Sequence, residues 1–403
     1  MHTLPATDQE LAAWLRLSMA PGLKPGALRA LLNAFGLPGA ILEQPFARLA
    51  AATDEASARA ALTSPGADFA RYLDAALAWR EEKGNAIVTL DDPAYPPALL
   101  TMPDPPSLLY VKGRLDLLHA KAVAVVGSRS ATPQGVEDAQ RFAQALSQAG
   151  LVVISGLALG IDAAAHRGAL SAHGSTIAVI GTGADLVYPA AHHPLARQIA
   201  VDGTIVSEWP LGTPARAANF PQRNRLIAAL AGGVLVVEAA MRSGSLITAR
   251  LANEMGRDVF ALPGSIHAPL SKGCHRILKQ GARLVETPEE ILEELGFAPP
   301  PKVRSLASKL WSGGLAESTH GTVTAPVAGK AAGTNLETDL RTDLGSDARA
   351  LLAALGYAPA TLEMLAARTD MPDSALQSTL LQLELAGQLT VLPGGRFVRA
   401  SHA

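Results

Sequence analysis

Six short apolar runs constrain the fold of this chain more than any other feature of its sequence. Each run is continuously apolar instead of alternating with polar residues, which is the pattern of strands buried on both faces of a parallel sheet. Amphipathic stretches such as 135–149 and 244–255 lie between the runs. Strands alternating with helices predict a doubly wound α/β domain. The predicted strands are 123–126, 152–154, 176–180, 204–206, 234–237 and 259–262.

Composition and periodicity divide the chain into four parts. Residues 1–84 have helical periodicity, residues 85–297 hold the predicted sheet, and residues 346–403 regain a regular pattern. The stretch 298–345 between them is rich in Pro, Gly and Ala with little periodicity, which predicts a flexible linker. The expected fold class is therefore α/β, with an extended parallel-sheet domain flanked by a small N-terminal helical domain and a smaller C-terminal domain.

Both flanking domains have patterns found in small nucleic-acid-binding modules. Thr7 and Glu10 have capping-box spacing, and a Pro/Gly turn at 21–26 separates two predicted helices. That turn is compatible with a SAM-like or helix-hairpin-helix module and also with an ordinary helical bundle. The C-terminal part predicts helices near 347–355, 361–368 and 373–387, then a hairpin of 388–392 and 396–399. Three helices followed by a hairpin predict a winged helix.

The bulk composition limits where and how the chain can act. A net charge of -2 excludes a uniformly basic protein that coats nucleic acid, so such binding would need a local patch. The single cysteine, Cys274, cannot form an intramolecular disulfide and suits a reducing cytoplasm; we interpret it as inert. No apolar run reaches the roughly 18 residues of a membrane span, and the N-terminus lacks signal-peptide character. We expect a cytoplasmic protein without a membrane partner.

Two loops have the residues of anion-binding sites. Gly127, Ser128 and Arg129 directly follow the first central strand, and ligands of open α/β sheets bind at the carboxyl ends of strands. Ser243, Gly244 and Ser245 open a later helix and offer N–H and O–H donors. The first loop is equally compatible with an ordinary turn between strand and helix.

A stretch without acidic residues holds the most informative charges. Between Glu208 and Glu238 there is no Asp or Glu, and an aromatic ring lies beside an amide and three arginines, namely Arg216, Phe220, Arg223, Asn224 and Arg225. Arginines with an aromatic ring suit single-stranded nucleic acid, whose bases stack on rings while its phosphates meet guanidinium groups. The alternative is a core Phe220 with arginines on a solvated face.

No catalytic or metal site is predicted. Asp162 and His166 share one helical face and could act as an acid/base pair, but a helix-capping Asp with a buried His is the commoner outcome. His192 and His193 lack companion ligands at metal spacing. We therefore expect no catalytic residue, no metal and no cofactor.

Four motifs in one order make the chain resemble a known family. They are Gly-Ser-Arg at 127–129, Ser-Gly-Leu-Ala-Leu-Gly-Ile-Asp at 155–162, Phe-Pro-Gln-Arg-Asn-Arg at 220–225, and Ser-Gly-Ser-Leu-Ile-Thr-Ala at 243–249. Together they closely resemble the DprA/Smf family of bacterial DNA-processing proteins, over about 200 residues. The flanking helical and winged-helix parts fit the family's three-part layout.

The resemblance implies a Rossmann-like domain that binds single-stranded DNA and works as a dimer. It also implies protection of incoming DNA during natural transformation and loading of the recombinase RecA. Some members carry a lysine just before the Phe-Pro motif, and Arg216 is the candidate to replace it. The implied DNA contacts are Gly127, Ser128, Arg129, Arg216, Phe220, Arg223, Asn224, Arg225, Ser243, Gly244 and Ser245.

The charges of the winged helix argue against duplex reading. From Ser346 onward there are four Arg and no Lys against five acidic residues, and the presumed recognition helix, 373–387, has no basic residue. A major-groove reader needs several such contacts, so we expect a protein-contact or regulatory role.

Two other functions compete with DNA binding. Nucleotide phosphoribohydrolases have a similar sheet, but they carry a Pro-Gly-Gly-x-Gly-Thr loop followed by a catalytic Glu. Here the corresponding loop, 242–248, lacks that opening, and Glu238 precedes it. A purely structural adaptor would leave the acid-free arginine stretch unexplained.

Overall fold

The computed structural model describes residues 7–172, 175–297, 346–356, 359–392 and 395–400. The predicted linker, 298–345, lies outside these residues. The first described part is helical, and the Thr7 hydroxyl accepts from the Glu10 N–H (3.3 Å) while the Glu10 carboxylate accepts from the Thr7 N–H (2.7 Å), which confirms the capping box. The helices are Asp8–Ser18 (α1), Pro25–Phe35 (α2), Pro38–Leu42 (α3), Phe46–Ala52 (α4), Glu55–Leu62 (α5) and Phe69–Glu81 (α6).

One large, mostly parallel sheet follows, as predicted. Its described strands are Asn85–Thr89 (β1), Leu108–Gly113 (β2), Ala122–Val126 (β3), Val152–Ser155 (β4), Thr176–Val179 (β5), Thr204–Ser207 (β6), Gly233–Val236 (β7), Asp258–Ala261 (β8) and Arg283–Leu284 (β9). Their spatial order is β1-β2-β6-β5-β4-β3-β7-β8-β9. All pairs from β6 to β9 are parallel, whereas β1 and β2 extend the β6 edge in antiparallel register. The six predicted strands are confirmed, and β1, β2 and β9 were missed.

Helices cover both faces of the sheet. Val123 and Val125 of β3 pack in one apolar cluster, and Ala124 and Val126 pack in another, because successive side chains point to opposite faces. The helices of this domain are Pro97–Leu100 (α7), Pro133–Gln148 (α8), Ile161–Leu170 (α9), His193–Asp202 (α10), Asn219–Leu230 (α11), Ser245–Glu254 (α12), Lys272–Lys279 (α13) and Pro288–Glu294 (α14). Helices α8, α9 and α14 belong to the first cluster, and α11, α12 and α13 to the second.

The C-terminal part has the predicted winged-helix arrangement. Helices Ser346–Leu355 (α15), Leu362–Thr369 (α16) and Asp373–Leu385 (α17) pack around Leu351, Leu365 and Leu376. Strands Ala360–Thr361 (β10), Leu389–Leu392 (β11) and Arg396–Arg399 (β12) form a small sheet in the order β10-β12-β11. Within the parts of the chain described, no helix combines the length and apolarity that a membrane span requires.

Candidate nucleic-acid interface

A cleft of about 750 Å³ opens at the carboxyl ends of the central strands. From β3 the chain adds strands in one direction through β4, β5 and β6, and it then returns to add β7 and β8 on the other side. The cleft therefore lies where the strand order reverses, the usual ligand position in open α/β sheets. The loops after β3 and β7 line it, together with the first half of α11.

The loop after β3 is shaped by close packing against α9. A Cβ on Gly127 would lie 2.6 Å from the side chain of Ile161, so this glycine permits helix packing as well as ligand approach. Gly160 has a φ of 72°, and a Cβ there would overlap the carbonyl oxygen of Ser128. The buried Ser128 hydroxyl accepts from the Ser130 N–H (3.2 Å). These contacts fix the loop that presents Arg129.

Asp162 and His166 hold the loop after β4 instead of forming an acid/base pair with each other. The Asp162 carboxylate accepts from the N–H groups of Gly156 (3.1 Å) and Ala158 (3.3 Å). His166 Nε2 accepts from the Leu157 N–H (3.3 Å). Because the Thr176 hydroxyl donates to a carbonyl, it accepts from His166 Nδ1–H (2.8 Å). Burial lowers the pKa of His166 to about 3, so the imidazole is neutral at physiological pH.

Arg223 forms the floor of the cleft and joins the ends of two strands, β4 and β5. Its guanidinium is buried and donates to the Gly156 carbonyl (2.5 Å), to the Val179 carbonyl, and to Asn224 Oδ1 (3.0 Å). A Cβ on Gly156 would overlap this guanidinium, which explains the glycine. Asp162 lies 4.0 Å away as counter-ion. Burial lowers the pKa of Arg223 to about 10, so it stays cationic at neutral pH.

Exposed groups surround the mouth of the cleft. The guanidinium of Arg129 lies over the Phe220 ring, 5.3 Å from its centroid. The Tyr188 ring, 51% exposed, lies 5.6 Å from the Phe220 ring in a tilted arrangement. Arg129 and Tyr188 thus leave a cation and an aromatic face open to a ligand. The Asn219 side chain donates to the Gly181 carbonyl (2.9 Å) and fixes the start of α11 at this mouth.

The third wall is the loop that opens α12. The Ser243 and Ser245 hydroxyls lie 2.7 Å apart, and the Asn224 amide donates to the Gly244 carbonyl (3.3 Å). The exposed Arg242 stands at the rim. The lining of the cleft contains three arginines, Arg129, Arg223 and Arg242, and one carboxylate, that of Asp162. The net charge of the lining residues is therefore positive.

The structure brings most of the predicted site residues together and leaves two outside. Gly127, Ser128, Arg129, Phe220, Arg223, Asn224, Ser243, Gly244 and Ser245 line one cleft. Arg225 instead pairs with Glu208 and lies 3.5 Å from Asp104, so its charge is neutralised away from the cleft. Arg216 is exposed, and only its neighbours Ala215 and Ala217 line the wall. Neither arginine lines the cleft, and a DNA contact by Arg216 or Arg225 stays a prediction.

Two residues at the rim of the cleft lie outside the predicted set. They are Tyr188 and Arg242. Because only 4% of the residues are aromatic, the tyrosine in the loop before Pro189 could have been considered as a stacking residue from the sequence alone. Cys274 is buried, and burial raises the pKa of its thiol to about 12, in line with an inert residue. No group of three metal-binding side chains occurs among the residues that the structure describes.

Comparisons with known proteins identify the family and support the fold. The family model described as DNA recombination-mediator protein A matches residues 86–296, and a DprA winged helix domain model matches residues 337–395. Protein Smf of Escherichia coli is 41% identical over 82% of this chain and 83% of its own length. DNA processing protein DprA of Streptococcus pneumoniae is 47% identical over 58% of this chain and 83% of its own. An X-ray structure of DprA from Streptococcus pneumoniae superposes with a TM-score of 0.59 at 39% identity, covering 72% of this chain and 99% of the other.

Proposed function

The chain belongs to the DprA/Smf family of DNA-processing proteins, and on that premise we propose that the cleft between β3 and β7 binds single-stranded DNA. The observation that carries the proposal is the group at its mouth: Arg129 over Phe220, with the open ring of Tyr188 beside them. A guanidinium grips a phosphate while an adjacent ring stacks on a base. Both contacts serve a strand whose bases are unpaired.

The floor and walls support backbone contact. Ser243 and Ser245 supply hydroxyls at the N-terminus of α12, whose helix dipole favours a negative charge such as a phosphate. Arg223 adds a fixed positive charge beneath them. Contacts to phosphates and base faces carry little sequence information, so we expect weak sequence preference.

The wider role follows from family membership. We infer that the protein protects incoming DNA in natural transformation, loads RecA onto it, and acts in the cytoplasm as a homodimer. A dimer would place two clefts along one strand and raise avidity through effective concentration. These statements rest on the relatives' DNA-processing role.

We propose a binding protein and not a nucleotide hydrolase, because the acids nearest the cleft are occupied. The Glu238 carboxylate accepts from the Thr132 N–H (2.9 Å) and hydroxyl (2.6 Å) and is not among the residues that line the cleft. Asp162 lines it but is buried and engaged with backbone N–H groups. A water-activating carboxylate would have to face the ligand.

Fluorescence anisotropy tests the proposal with a labelled single strand and a duplex of equal length, each across a salt series. We expect preference for the single strand, and Tyr188→Ala and Phe220→Leu should each weaken binding by roughly 1–3 kcal/mol if each ring stacks on a base. A wild-type protein that does not bind the single strand would refute the proposal. In that case release of free base from nucleoside monophosphates becomes the assay that decides for the enzyme.

A further inference from the structure

A groove of about 750 Å³ lies on the N-terminal helical domain, between the end of α1 and the first half of α6. None of the residues that line it belongs to the cleft proposed to bind DNA. The domain packs on β1 and β2, where Leu11, Trp14 and Trp79 share an apolar cluster with Ile87 and Tyr110. The groove therefore belongs to the β1 edge of the sheet, opposite the β9 edge.

The walls of the groove are mostly apolar. The Tyr72 hydroxyl is hydrogen-bonded to that of Tyr110 and accepts from the Leu211 N–H (3.3 Å), so the ring of Tyr72, and not its hydroxyl, is available to the groove. Contiguous exposed apolar surface beside polar residues is typical of an interaction site. The apolar walls include Met19, Pro21, Pro65, Phe69 and Tyr72.

The charges of the groove are unequally paired. Arg71 lies 2.8 Å from Asp68, but the two side chains are 82% and 87% exposed, so this ion pair is weak. Arg16 also lines the groove, and its side chain forms no ion pair with any residue that the structure describes. Its buried Nε has no hydrogen-bond partner among those residues either. A buried donor without a partner is costly, so a carboxylate that reached Arg16 would be stabilised.

We propose that this groove binds a short acidic segment of a partner protein, in which an apolar side chain adjoins a carboxylate. The apolar side chain would contact the rings of Phe69 and Tyr72, and the carboxylate would accept from the guanidinium of Arg16. Arginine beside aromatic rings is a combination enriched at protein–protein interfaces. The inference goes beyond the proposed DNA binding and does not depend on it.

Nucleic acid fits this groove less well than an acidic peptide. A phosphodiester backbone is bound through several cations in a row. This lining offers two arginines, one of which already has a carboxylate partner, and it places prolines and aromatic rings beside them. The charge and the apolar walls are both matched by a carboxylate next to an apolar side chain.

A labelled peptide and two matched counterparts test the chemistry of the groove. Fluorescence anisotropy with the full chain measures binding of a hexapeptide that alternates Glu with Leu, of one with Gln in place of Glu, and of one with Ala in place of Leu. We expect the first to bind and the two counterparts to bind at least about tenfold more weakly. Binding of the acidic peptide should weaken as salt is raised, because salt screens the contact between carboxylate and guanidinium.

Two variants change the groove in different ways. Arg16→Met keeps an apolar stem and removes the guanidinium, so it should weaken binding of the acidic peptide by about tenfold, and Arg16→Lys should restore part of that affinity. Ala75→Glu places a carboxylate at an exposed position of the lining and should also weaken binding. It removes no buried contact, so it tests the groove even where Arg16→Met lowers stability.

The matched control is Arg48→Met, which changes an exposed arginine on α4 outside the groove lining. It should bind the acidic peptide as wild type does, and all of these variants should bind single-stranded DNA normally. A wild type that binds the peptide but no single strand would refute the DNA proposal alone.

Several outcomes would overturn the inference. They are a wild type that does not bind the acidic peptide, equal affinity for the peptide with Gln, and unchanged affinity of Arg16→Met and Ala75→Glu. Loss of single-strand binding in these two variants would assign the groove to DNA instead. A change in their self-association, measured by sedimentation velocity, would assign it to contact between copies of this chain.

Discussion

The α/β domain and the winged helix both have folds that bind nucleic acid in other proteins, yet their arginines are placed differently. In the cleft, Arg223 is buried to build the floor, and Arg129 and Arg242 are left exposed to a ligand. In the winged helix, α17 has no basic residue. There, one arginine points back to the α/β domain.

That residue is Arg368, whose side chain is 8% exposed. It donates to both oxygens of Glu137 (2.9 Å each) and to Gln134 (3.2 Å), both on α8. The planar guanidinium of Arg368 binds a carboxylate through two N–H groups. Because these N–H groups are occupied by Glu137, they are not free to bind a phosphate. A fold alone therefore does not assign a DNA contact, because the placement of charged side chains decides it.

Removing the buried arginine should have the largest effect. Arg223→Ala leaves the Asp162 carboxylate buried without its counter-ion and breaks the bonds to the strand ends. Loss of one partner of a buried pair costs roughly 3–5 kcal/mol of unfolding free energy. Urea unfolding followed by tryptophan fluorescence measures this in the α/β and N-terminal parts, because residues 346–403 contain no Trp.

The matched substitution in the winged helix is Arg368→Ala. Its partner Glu137 is half exposed, so we expect a loss of about 1 kcal/mol or less. Urea unfolding followed by far-UV circular dichroism, which also reports on the winged helix, measures both variants. Equal losses for the two variants would break the comparison, since Arg368 would then be as structural as Arg223.

Removing the exposed arginine should affect binding and not stability. Arg129→Ala takes away a charge-assisted phosphate contact, worth roughly 1–3 kcal/mol, from a side chain that forms no ion pair among the described residues. Anisotropy with a single strand measures the loss, and urea unfolding should match wild type. Arg197→Ala is the control, expected to change neither. If Arg129→Ala binds normally, the cleft mouth is not the contact surface.

The α/β domain and the winged helix should also differ in how their stability depends on pH, because the α/β domain contains the buried His166. His166 has a pKa of about 3 when folded against 6.5 for an ordinary histidine, since burial disfavours its charged form. Between these values the unfolded chain binds a proton that the folded chain does not. Stability should therefore fall by about 1.4 kcal/mol per pH unit as pH drops below about 6.5, and this residue adds no slope above it.

The variant His166→Gln isolates this contribution, because the buried Asp162 also titrates at acidic pH and would otherwise overlap it. Its unfolding free energy should vary less steeply between pH 6.5 and 4.5 than that of wild type, whatever its absolute stability. The described winged helix contains no histidine, so it supplies no such slope. Parallel curves for wild type and variant would contradict the assignment.

Local sequence pattern predicted the central strands because a segment such as 123–126 or 234–237 is buried on both faces and forms one apolar run. The pattern missed β1, whose segment mixes apolar and polar residues at the antiparallel edge, and it missed β2 although 108–111 is a buried apolar run. It also placed the cleft at the strand ends, since loops after parallel strands meet at one edge. The sequence pattern could not show that Arg225 points away from the cleft, because its partners Glu208 and Asp104 lie 17 and 121 residues away in the chain. Short-range order is readable from sequence, whereas long-range pairing needs the fold.

The smallest effect is expected in the winged helix. Arg349→Ala combined with Arg396→Ala removes two exposed arginines, and affinity for duplex should stay within about twofold of wild type, because positive charge is absent from α17 where a major groove would be read. Anisotropy at low salt makes the test stringent, since nonspecific phosphate contacts are strongest there. A loss of tenfold or more would show that the wing contacts DNA through its strands, and the two regions would then both be DNA-binding surfaces that differ in how they reach the phosphates.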